Sequence, residues 1–487
     1  MFIAVMIFIS ACLIILPLFI RKIKLLGLIN AVGYAAILLT CILFLKAFFA
    51  GGSAAINLWG CLYIDSLSLF FLLTTSVVSF AASVYSIGYI LEEVEEAKMS
   101  DRKARGYFQL FNLLCITMLT VPLLNNMALV WIAIELTTLI SAFLVGFHNV
   151  KESIEAAWKY IIICSVGITF ALLGIILFYY TSSKDAGVMS LEWVSMISGS
   201  GAFDPKIVKL ALIFIFVGYG TKAGLAPMHN WLPDAHSQAL SPISGLLSGA
   251  LLKISLYAIL RFVILANFSA GYTYSSKLFI LFGLVSLVVA GAFILVQKDL
   301  KRLLAYSSVE NIGLVSLGLG FGGFGGIFAG LLQVFNHAVT KALMFFCAGS
   351  AAHAYGSNNM NKMRGMIKFL PFTGIAMFLG LFALVGMPPF SIFISKLLIL
   401  IAAFQGGYYF VAVLMLIFIA LAFAGLLYHL SGVILGNAPH MIPIRREPLS
   451  LKIALSFLGI FILGFGLKIP QILLNLLVNC QQLILGS

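Results

Sequence analysis

Long apolar runs recur from one end of this chain to the other, and they limit its fold more than any other feature. A run of about 18 or more apolar residues is long enough to cross the hydrocarbon core of a bilayer as a helix. Of the 487 residues, 62% are hydrophobic and 9% are charged, whereas soluble domains contain roughly 25% charged residues. The sequence therefore predicts an all-α polytopic membrane protein.

The apolar runs predict about fourteen transmembrane helices. Lysine and arginine concentrate in the loops after odd-numbered spans, which predicts that these loops are cytoplasmic and that both termini lie outside. The predicted spans are residues 2–20, 25–49, 62–91, 107–124, 127–147, 153–180, 207–229, 242–266, 275–297, 302–320, 322–350, 372–403, 407–435 and 450–479. The basic residues assigned to cytoplasmic loops are Arg21, Lys22, Lys24, Lys98, Arg102, Lys103, Arg105, Lys151, Lys159, Lys298, Lys301, Arg302, Lys362, Arg364, Lys368, Arg445, Arg446 and Lys452.

The net charge of +13 raises the question of a nucleic-acid partner. Because the basic residues lie in short loops rather than along one face, we expect the lipid bilayer as the partner and no nucleic acid. The cysteines are scattered without a C-x-x-C pair, at positions 12, 41, 61, 115, 164, 347 and 480. They are predicted to be small apolar side chains rather than disulfides or metal ligands, so we expect no cofactor and no metal in this chain.

Charged residues inside the apolar runs are the strongest functional signal: Glu135, Lys222, Lys253, Lys341 and Lys396. A lysine at the centre of a bilayer helix costs roughly 2.5–3.5 kcal/mol on insertion scales. Charges kept at that cost face one another or buried water, and their usual role is ion or proton movement. A static salt bridge, the alternative, accounts for Glu135 with one lysine and leaves the other lysines unexplained.

Glu135, Lys222 and Lys253 are predicted to share one depth near the middle of the membrane, although they come from spans 5, 7 and 8. A Glu–Lys pair relieves part of the desolvation cost and keeps both groups charged. Burial and a second nearby cation both disfavour the charged form of a lysine. Separating such a pair lets the lysine release a proton, so these residues predict a proton-translocation site.

Span 11 and span 12 extend this series. His337 and Lys341 lie four residues apart and share one helix face. A histidine titrates near ~6.5 and passes protons in either direction, so we predict a relay here, with a hydrogen-bonded core histidine as the alternative. Lys396, near the outer end of span 12, predicts a proton exit; the alternative is that its ammonium reaches the outer interface.

Two spans are interrupted by glycine and proline, at Tyr219–Pro227 in span 7 and at Gly386–Pro389 in span 12. Proline removes a backbone hydrogen bond, and paired broken helices in matching positions of two halves indicate a transport site. Ordinary proline kinks are the alternative. Spans 4–8 and 9–13 are then predicted to form two inverted five-helix repeats. The predicted domains are an N-terminal three-helix segment at 1–105, the two repeats at 106–270 and 271–440, and a C-terminal helix at 441–487.

Four further residues are weaker candidates for an access or accessory role. His229 and His236 are placed in the inner loop after span 7, too far apart for a metal site, where they could line an access path. Glu310 is placed at the beginning of span 10, where it could pair with the basic loop before it. His429 in span 13 matches the position of Lys253 if the two halves repeat.

Six motifs carry a specific family resemblance. They are Trp131-Ile-Ala-Ile-Glu135, the stretch from Thr221-Lys-Ala-Gly-Leu-Ala-Pro227 through His229-Asn-Trp-Leu-Pro-Asp-Ala-His236, Leu251-Leu-Lys-Ile-Ser-Leu-Tyr257, Lys301-Arg-Leu-Leu-Ala-Tyr-Ser-Ser308, His337-Ala-Val-Thr-Lys341 and Gly386-Met-Pro-Pro389. Together they resemble the antiporter-like membrane subunits of respiratory complex I, of Mrp sodium/proton antiporters and of membrane-bound energy-converting hydrogenases. The resemblance covers nearly the whole chain.

The resemblance implies a fourteen-helix fold with two inverted repeats and a hydrated central axis. It also implies that Glu135 and Lys222 are a coupled pair, Lys253 and His337 are connectors, Lys341 is a central relay and Lys396 is the terminal lysine. Two stretches, at 236–239 and 241–249, look most similar to subunits of hydrogenase-4 and formate-hydrogenlyase type complexes. A lysine at position 396, which differs from the complex I subunits that carry glutamate there, and a chain that stops at Ser487 without a long lateral helix favour the same branch. An Mrp-type subunit also tolerates a lysine at that position.

The leading expectation is a proton-translocating subunit of a redox-driven complex in a prokaryotic cell membrane. With no redox or catalytic site of its own, it would work with other membrane subunits and with a cytoplasmic module that carries iron–sulfur clusters, such as a nickel–iron hydrogenase. The alternatives are an Mrp-type sodium/proton antiporter subunit and a complex I NADH-quinone oxidoreductase subunit. A membrane enzyme or a quinone site is disfavoured, because it would need a paired acid and base or a metal cluster near an interface and the sequence shows neither. A structural scaffold is disfavoured because it leaves the lysine series unexplained.

Overall fold

The computed structural model describes residues 2–51, 55–58, 60–437 and 446–486. The helices are α1 (Phe2–Phe19), α2 (Ile23–Ala50), α3 (Ser66–Glu95), α4 (Asp101–Thr120), α5 (Met127–Val145), α6 (Lys151–Ala186), α7 (Trp193–Gly199), α8 (Pro205–Ala223), α9 (Trp231–Gln238), α10 (Ser241–Leu246), α11 (Leu252–Ala270), α12 (Tyr272–Val296), α13 (Leu300–Phe321), α14 (Gly323–Tyr355), α15 (Met366–Phe369), α16 (Pro371–Val385), α17 (Ser391–Gln405), α18 (Tyr409–Leu435), α19 (Leu449–Leu467) and α20 (Gln471–Leu485). An antiparallel hairpin of strands β1 (Ala55–Leu58) and β2 (Leu62–Asp65) precedes α3. Short 3-10 turns at Val121–Leu123, Ser200–Ala202 and Met228–Asn230 and a π-helical turn at Leu247–Leu251 complete the elements.

The predicted fold class is confirmed. Within the described ranges, thirteen helical segments are long and apolar enough to cross a membrane, and predicted span 372–403 is present as the two shorter helices α16 and α17. The inverted repeats and the domain bounds remain predictions. Arg445 and the predicted boundary between residues 440 and 441 lie outside the described residues.

Two predicted bounds are wrong. The last span does not run to residue 479, because α19 ends at Leu467 and a separate helix, α20, begins at Gln471. Pro470 lies between them, and proline disfavours helical geometry in the residue before it. The third span does not begin as a helix at residue 62, because residues 62–65 form β2 and α3 begins at Ser66.

Three segments form the centre of the bundle. The most apolar stretches of Ser241–Ala270, Leu300–Phe321 and Gly323–Tyr355 are buried throughout, whereas most residues of the α1, α18 and α19 stretches are not. The neighbours of the central helices are other helices: α13 packs against α12, and α14 packs against α13, α16 and α17. Charged side chains on α11, α13 and α14 are therefore enclosed by protein rather than by lipid.

The hairpin marks one end of the bundle, which we call the hairpin face. Asp65 begins α3 by accepting a hydrogen bond from the backbone N–H of Ser68 at 2.9 Å. Its carboxylate also accepts two hydrogen bonds from Arg261, at 2.5 and 2.8 Å, and the guanidinium lies 4.8 Å from the ring centre of Trp193. A buried ion pair is tolerated when its remaining polar atoms are satisfied in this way. The pair fastens α3 and α11 to the hairpin face.

The opposite end is the basic face, where α3 and α14 end and α4, α6 and α13 begin. Asp234 in α9 forms ion pairs there with Lys159 of α6 at 3.3 Å and with Arg302 of α13 at 3.0 Å. These contacts hold α9 between two membrane helices. The basic face is the side that the loop-charge rule predicts to be cytoplasmic.

Candidate functional site

Both predicted helix breaks are present, and each is made by a glycine that ends the first half-helix. Gly224 follows α8 with φ +80° and Gly386 follows α16 with φ +84°. A left-handed residue after the last turn is the common way to end a helix, and glycine adopts it without a steric penalty. Lys222 therefore lies in the last turn of α8, and Lys396 lies in the second turn of α17.

Lys222 and Glu135 are joined through one hydroxyl group. The ammonium of Lys222 donates hydrogen bonds to Thr138 and, at 3.0 Å, to the hydroxyl of Tyr160. Thr138 in turn donates to Glu135 at 3.2 Å, and Ser165 donates to the same carboxylate at 2.6 Å. Among the described residues, no carboxylate lies within 4 Å of the Lys222 nitrogen. The predicted pair is thus brought together, but as ammonium, hydroxyl and carboxylate in series.

Burial differs sharply between the two charges. Lys222 is fully buried, whereas Glu135 is only half-buried, on the surface formed by α5 and α6. The carboxylate is therefore at the edge of the chain, and the lysine is inside it.

A π-helical turn positions Lys253. The backbone of Leu247–Leu251 is π-helical, and such turns leave the regular hydrogen-bond ladder and are frequent at functional sites. The carbonyl of Ser248, within this turn, accepts a hydrogen bond from Lys253. The same ammonium lies 2.9 Å from Nδ1 of His337. The two predicted connectors are thus in direct contact. The π-helical turn that positions Lys253 is not predicted by the sequence, because it contains no proline that would mark a break.

His337 has one ring nitrogen in use and one free. Nδ1 faces the ammonium of Lys253, which can only donate, so Nδ1 is the acceptor and the proton is assigned to Nε2. Nε2 is buried and has no hydrogen-bond partner among the described residues. The ring can therefore take a proton on one side and release one on the other.

Lys341 lies one step further along the centre of the bundle. Its ammonium donates to the carbonyl of Leu304 at 2.7 Å and to the hydroxyl of Ser307. The neighbouring Ser308 binds the hydroxyl of Ser248 at 2.8 Å and donates to the same Leu304 carbonyl at 3.1 Å. Serine hydroxyls thus connect the surroundings of Lys253 with those of Lys341.

Lys396 forms a buried ion pair with Glu310, at 3.1 Å. Glu310 is 1% exposed and Lys396 is 8% exposed. The placement of Glu310 beside the basic loop is therefore wrong: it lies in the middle of α13 and faces α17. The alternative for Lys396, an ammonium at the outer interface, is wrong for the same reason, because the side chain points into the core.

Amide and hydroxyl groups link Lys341 to this ion pair. Asn311 donates to the carbonyl of Ser307 at 2.8 Å and to the Glu310 carboxylate at 3.3 Å. Gln333 donates to Asn311 at 2.7 Å, and Ser395 donates to Gln333 at 2.5 Å. Polar contacts therefore continue without interruption from Lys253 to Lys396, and we call this series the axis.

The axis does not continue by direct hydrogen bonds to Lys222. Of the two partners of Lys222, Tyr160 binds Ser141 at 2.7 Å and Thr138 donates to Glu135 at 3.2 Å. Within the described part of the chain, neither of them binds a partner of Lys253. We call the group of Lys222, Thr138, Tyr160 and Glu135 the first cluster. The first cluster and the axis are thus separate hydrogen-bonded groups.

The accessory histidines divide into two groups. The prediction that His229 and His236 lie in a loop is wrong. His229 lies on the 3-10 turn 228–230 and His236 lies on α9, and both elements continue span 7 beyond its break. His236 is fully buried, stacks on Phe345 at 4.6 Å, and has no hydrogen-bond partner for either ring nitrogen in the described structure. The ring is within electrostatic reach of Lys341, Lys301 and Lys253. It is thus the accessory histidine that lies beside the axis.

The other two accessory residues have ordinary structural contacts. The ring of His229 packs on Tyr306 with 6.1 Å between centres. His429 lies near the end of α18, where Nε2 is 3.1 Å from the carbonyl of Leu295, and it lines a surface cavity with Lys298 and Arg364. His429 does not join the axis.

Comparison with known proteins identifies the family. The model described as "NADH:quinone oxidoreductase/Mrp antiporter, TM" matches residues 124–424. The chain belongs to this family. That stretch includes the first cluster and the whole axis, so the antiporter-like membrane subunit predicted from the motifs is confirmed at the level of the family.

Relatives from several branches match this family member. The Hydrogenase-4 component F homolog of Methylacidiphilum infernorum is 37% identical over 343 residues, which cover 70% of this chain and 72% of the relative. Hydrogenase-4 component B of Escherichia coli is 30% identical over 69% of this chain and 50% of its own length. NADH-quinone oxidoreductase subunit N of Desulforudis audaxviator is 29% identical over 86% and 84% of the two chains.

Solved structures share the fold. A chain of the membrane-bound sulfane sulfur reductase, an archaeal respiratory membrane complex, superposes with a TM-score of 0.87 at 24% identity, covering 99% of this chain and 97% of that one. A chain of the Mrp complex from Dietzia sp. gives 0.86 at 20% identity over the same shares. Both are chains of membrane complexes, and their likeness shows that this family member has the same multi-pass fold.

Proposed function

We propose that this chain translocates protons as a subunit of a redox-driven membrane complex of the hydrogenase type. The observation that carries the proposal is the axis: three lysines, a histidine and a carboxylate connected by polar contacts through the buried centre of the bundle. Intramembrane charges that face the interior of a bundle mark ion and proton paths.

Direct proton transfer along the axis is possible where a donor and an acceptor are in contact, and water has to carry the proton onward from Nε2 of His337, which has no hydrogen-bond partner among the described residues. Lys253 donates toward Nδ1 of His337, so transfer there leaves a neutral amine and a protonated ring, which releases its other proton from Nε2. At the far end, Glu310 holds the ammonium of Lys396, and an ion pair of this kind keeps both groups charged. Lys396 releases its proton when an arriving positive charge on Lys341 weakens that pair.

The first cluster acts as the switch in this scheme. A proton cannot pass from Lys222 to Glu135 without Thr138, because the hydroxyl lies between them. Movement of the half-buried Glu135 would take its negative charge away from Lys222 and favour loss of the Lys222 proton. Transfer from there to Lys253 requires water, since no side chain bridges the two groups within the described residues.

The electron chemistry is assigned to other chains. No group of three or more His, Cys, Asp or Glu residues that could hold a metal occurs in the described structure. We propose that partner subunits carry the iron–sulfur clusters, and the relatives named as hydrogenase-4 components favour a hydrogenase module. Purification in mild detergent, followed by identification of the bound chains, tests this: a hydrogenase module supports it, and an NADH module or small antiporter chains contradict it.

Localisation is proposed on the same basis, in a prokaryotic cell membrane with both termini outside. The eighteen basic residues of the odd-numbered loops support this orientation. A fusion at the amino terminus to a reporter that is active only in the cytoplasm should be inactive, and activity there contradicts the orientation.

Proton uptake by membrane vesicles that contain the assembled complex tests the axis. Lys253→Ala should abolish uptake, measured by quenching of a pH-sensitive dye, while Lys277→Ala should not change it. Lys277 is an exposed lysine at the start of α12 and is the matched control. Normal uptake in the Lys253 variant contradicts the proposed axis.

Sodium/proton exchange is the second candidate, and one observation favours it. Glu310 is a second mid-membrane carboxylate, and the amide and hydroxyl oxygens of Asn311, Gln333 and Ser395 belong to the hydrogen-bonded series that begins where the Asn311 side-chain N–H donates to it. Oxygen groups of this type suit a hard cation such as sodium. A pH gradient that forms equally well without sodium contradicts this candidate, and a gradient that requires sodium supports it over proton translocation alone.

A further inference from the structure

A polar cavity of about 340 Å³ opens on the basic face, between the ends of α3 and α14 and the start of α13. We call it the vestibule. Its titratable and charged lining residues come from every element around it: Tyr89 and Glu93 of α3, Lys98 after α3, His148 after α5, Lys301 of α13 and His353 of α14. Ser237 and Gln238 at the end of α9 complete its inner side.

His353 stands between an inner and two outer carboxylates. Its Nδ1 is 3.4 Å from Glu93, and its Nε2 is 3.1 Å from Glu96 and 3.8 Å from Glu92. The side chains of His353 and Glu93 are 4% and 5% exposed, whereas those of Glu92 and Glu96 are 32% and 29% exposed. The imidazole therefore separates carboxylates that reach solvent from one that does not.

The position of these glutamates is electrostatically unfavourable without a function or a counter-charge. They lie in the last turn and at the end of α3, where the helix dipole is negative and favours cations. Burial lowers the pKa of the nearby His148 below its ordinary 6.5, so that ring is neutral at pH 7. The positive charge that balances Glu93 must come from His353, Lys98 or Lys301.

Glu93 also has an atom that points to a missing ligand. Its Oε2 is buried and has no hydrogen-bond partner among the described residues. Leaving a carboxylate oxygen buried and unpaired is costly, so a water molecule or a proton is expected there. Lys301 is the cation on α13 within electrostatic reach of this carboxylate.

The floor of the vestibule leads to the axis. Lys301 is 5% exposed and donates a hydrogen bond to the carbonyl of Ala239 at 3.0 Å. Three residues before Ala239 lies His236, whose two ring nitrogens are unpartnered within the described ranges and which is within reach of Lys341 and Lys253. One buried lysine and one unpaired imidazole thus separate the vestibule from the relay residues.

We propose that the vestibule is the port through which cytoplasmic protons reach the axis, with His353 passing them from Glu92 and Glu96 to Glu93. The ring gains a proton from solvent at Nε2, by way of Glu92 or Glu96, and loses the proton at Nδ1 to Glu93. Rotation of the ring then turns the remaining N–H toward Glu93, and the free nitrogen faces the outer carboxylates for the next proton. Glu93 gives the proton to water in the vestibule, which carries it past Lys301 to His236. This assignment rests on the proposed function of the axis.

The test uses the assembled complex in liposomes that contain the pH-sensitive dye pyranine, with proton influx driven by a potassium diffusion potential. His353→Gln and Glu93→Gln should each slow influx about ten-fold, because water alone replaces a positioned proton carrier poorly. They should also alter the dependence of influx on pH, because each variant removes an ionisable group from the port. Glu95→Gln, on the exposed side of the same turn, is the control and should match the unmodified chain.

Lys341→Ala separates failure of the port from failure of the axis. If both vestibule variants conduct normally while Lys341→Ala is inactive, the port is wrong and the axis stands. If Lys341→Ala also conducts normally, the proposed function of the axis is wrong, and the proposed port, which depends on it, is wrong as well. Solid-state ¹⁵N NMR of labelled histidine gives a readout that needs no conduction: signals assigned by their absence in His353→Gln should change with pH, and a ring that keeps one protonation state from about pH 5 to 9 overturns the proposal.

Discussion

Lys396, on α17 just after the break in span 12, is paired with Glu310 of α13 at 3.1 Å, at the buried centre of the bundle. The same ammonium donates to the carbonyl of Leu384 at 3.2 Å, one residue before α16 ends. The end of a helix carries partial negative charge and attracts cations. Lys396 is therefore held both by the carboxylate of Glu310 on α13 and by the carboxyl end of α16, the half-helix that precedes α17. The geometry of the break is thus coupled to the charge of Glu310.

Removing only the carboxylate should be severe. Glu310→Gln leaves the ammonium of Lys396 buried and unpaired, and breaking a buried pair from one side costs about 3–5 kcal/mol. We expect a lower thermal midpoint in detergent and loss of proton uptake in vesicles.

Removing both charges separates stability from function. The double variant Glu310→Gln with Lys396→Met should regain most of the lost thermal stability, because replacing both partners of a buried pair is often nearly neutral. Proton uptake should remain absent. A double variant that takes up protons normally would show that the pair is structural.

Thr138 should be required for coupling in the first cluster. Thr138→Val keeps the shape of the side chain but removes the hydroxyl between Lys222 and Glu135. Loss of a positioned proton-transfer group should lower proton uptake by about ten-fold or more. Thr138→Ser keeps the hydroxyl and should retain most of the activity, so equal loss in both variants would indicate a packing defect instead.

Gly386 should tolerate no side chain. Its φ of +84° is one that other residues adopt at a cost of roughly 1–2 kcal/mol, and a Cβ would lie 3.0 Å from Cδ of Lys396. Gly386→Ala should therefore lower both thermal stability and proton uptake. Gly459→Ala in α19, where a Cβ would meet nothing within 4 Å, is the control, and equal behaviour of the two variants contradicts a special role for the break.

The Asp65–Arg261 pair should matter for stability and not for the proton path. Asp65→Asn leaves the Arg261 guanidinium buried beside a neutral partner, and a loss of about 3–5 kcal/mol is expected, measured as a lower thermal midpoint. The exposed Asp101 supplies the matched control, Asp101→Asn. Any complex that assembles from the Asp65 variant should still take up protons at the usual rate per molecule, and a selective loss of uptake in stable protein would contradict this.

Acid sensitivity should depend on His148. His148 is an exposed residue that lines the vestibule, and partial desolvation there lowers its pKa from the ordinary 6.5 in the folded chain. The unfolded chain therefore binds the proton first as the pH falls. The folded state therefore loses stability between pH 6.5 and the lower folded pKa. His148→Gln should reduce this loss, measured as the change of thermal midpoint with pH, and an unchanged pH dependence would contradict it.

The sequence was sufficient for the positions of the breaks and of the buried lysines. Glycine and proline interrupt helices by their own backbone chemistry, and a lysine inside an apolar run stands out by hydropathy alone. That is why Lys222, Lys253, Lys341 and Lys396 were found and all lie in the buried core.

Partners of these lysines could not be found in the same way. Glu310 follows Lys298 by only twelve residues, which suggests pairing in the loop. However, α13 begins at Leu300, and ten residues of helix rise roughly 15 Å and carry Glu310 to the membrane centre. Its partner Lys396 is 86 residues away. The π-turn before Lys253 and the Thr138 hydroxyl between Lys222 and Glu135 depend on tertiary packing, which no local pattern encodes.

Part of Glu135 remains uncovered on the outer wall formed by α5 and α6. A carboxylate facing hydrocarbon there would be too costly to keep ionised, so a neighbouring membrane helix has to shield it before the lysine behind it can be held charged. Docking of that neighbour would then make the chain competent for proton transfer, and an unassembled copy would remain in the bilayer without conducting protons.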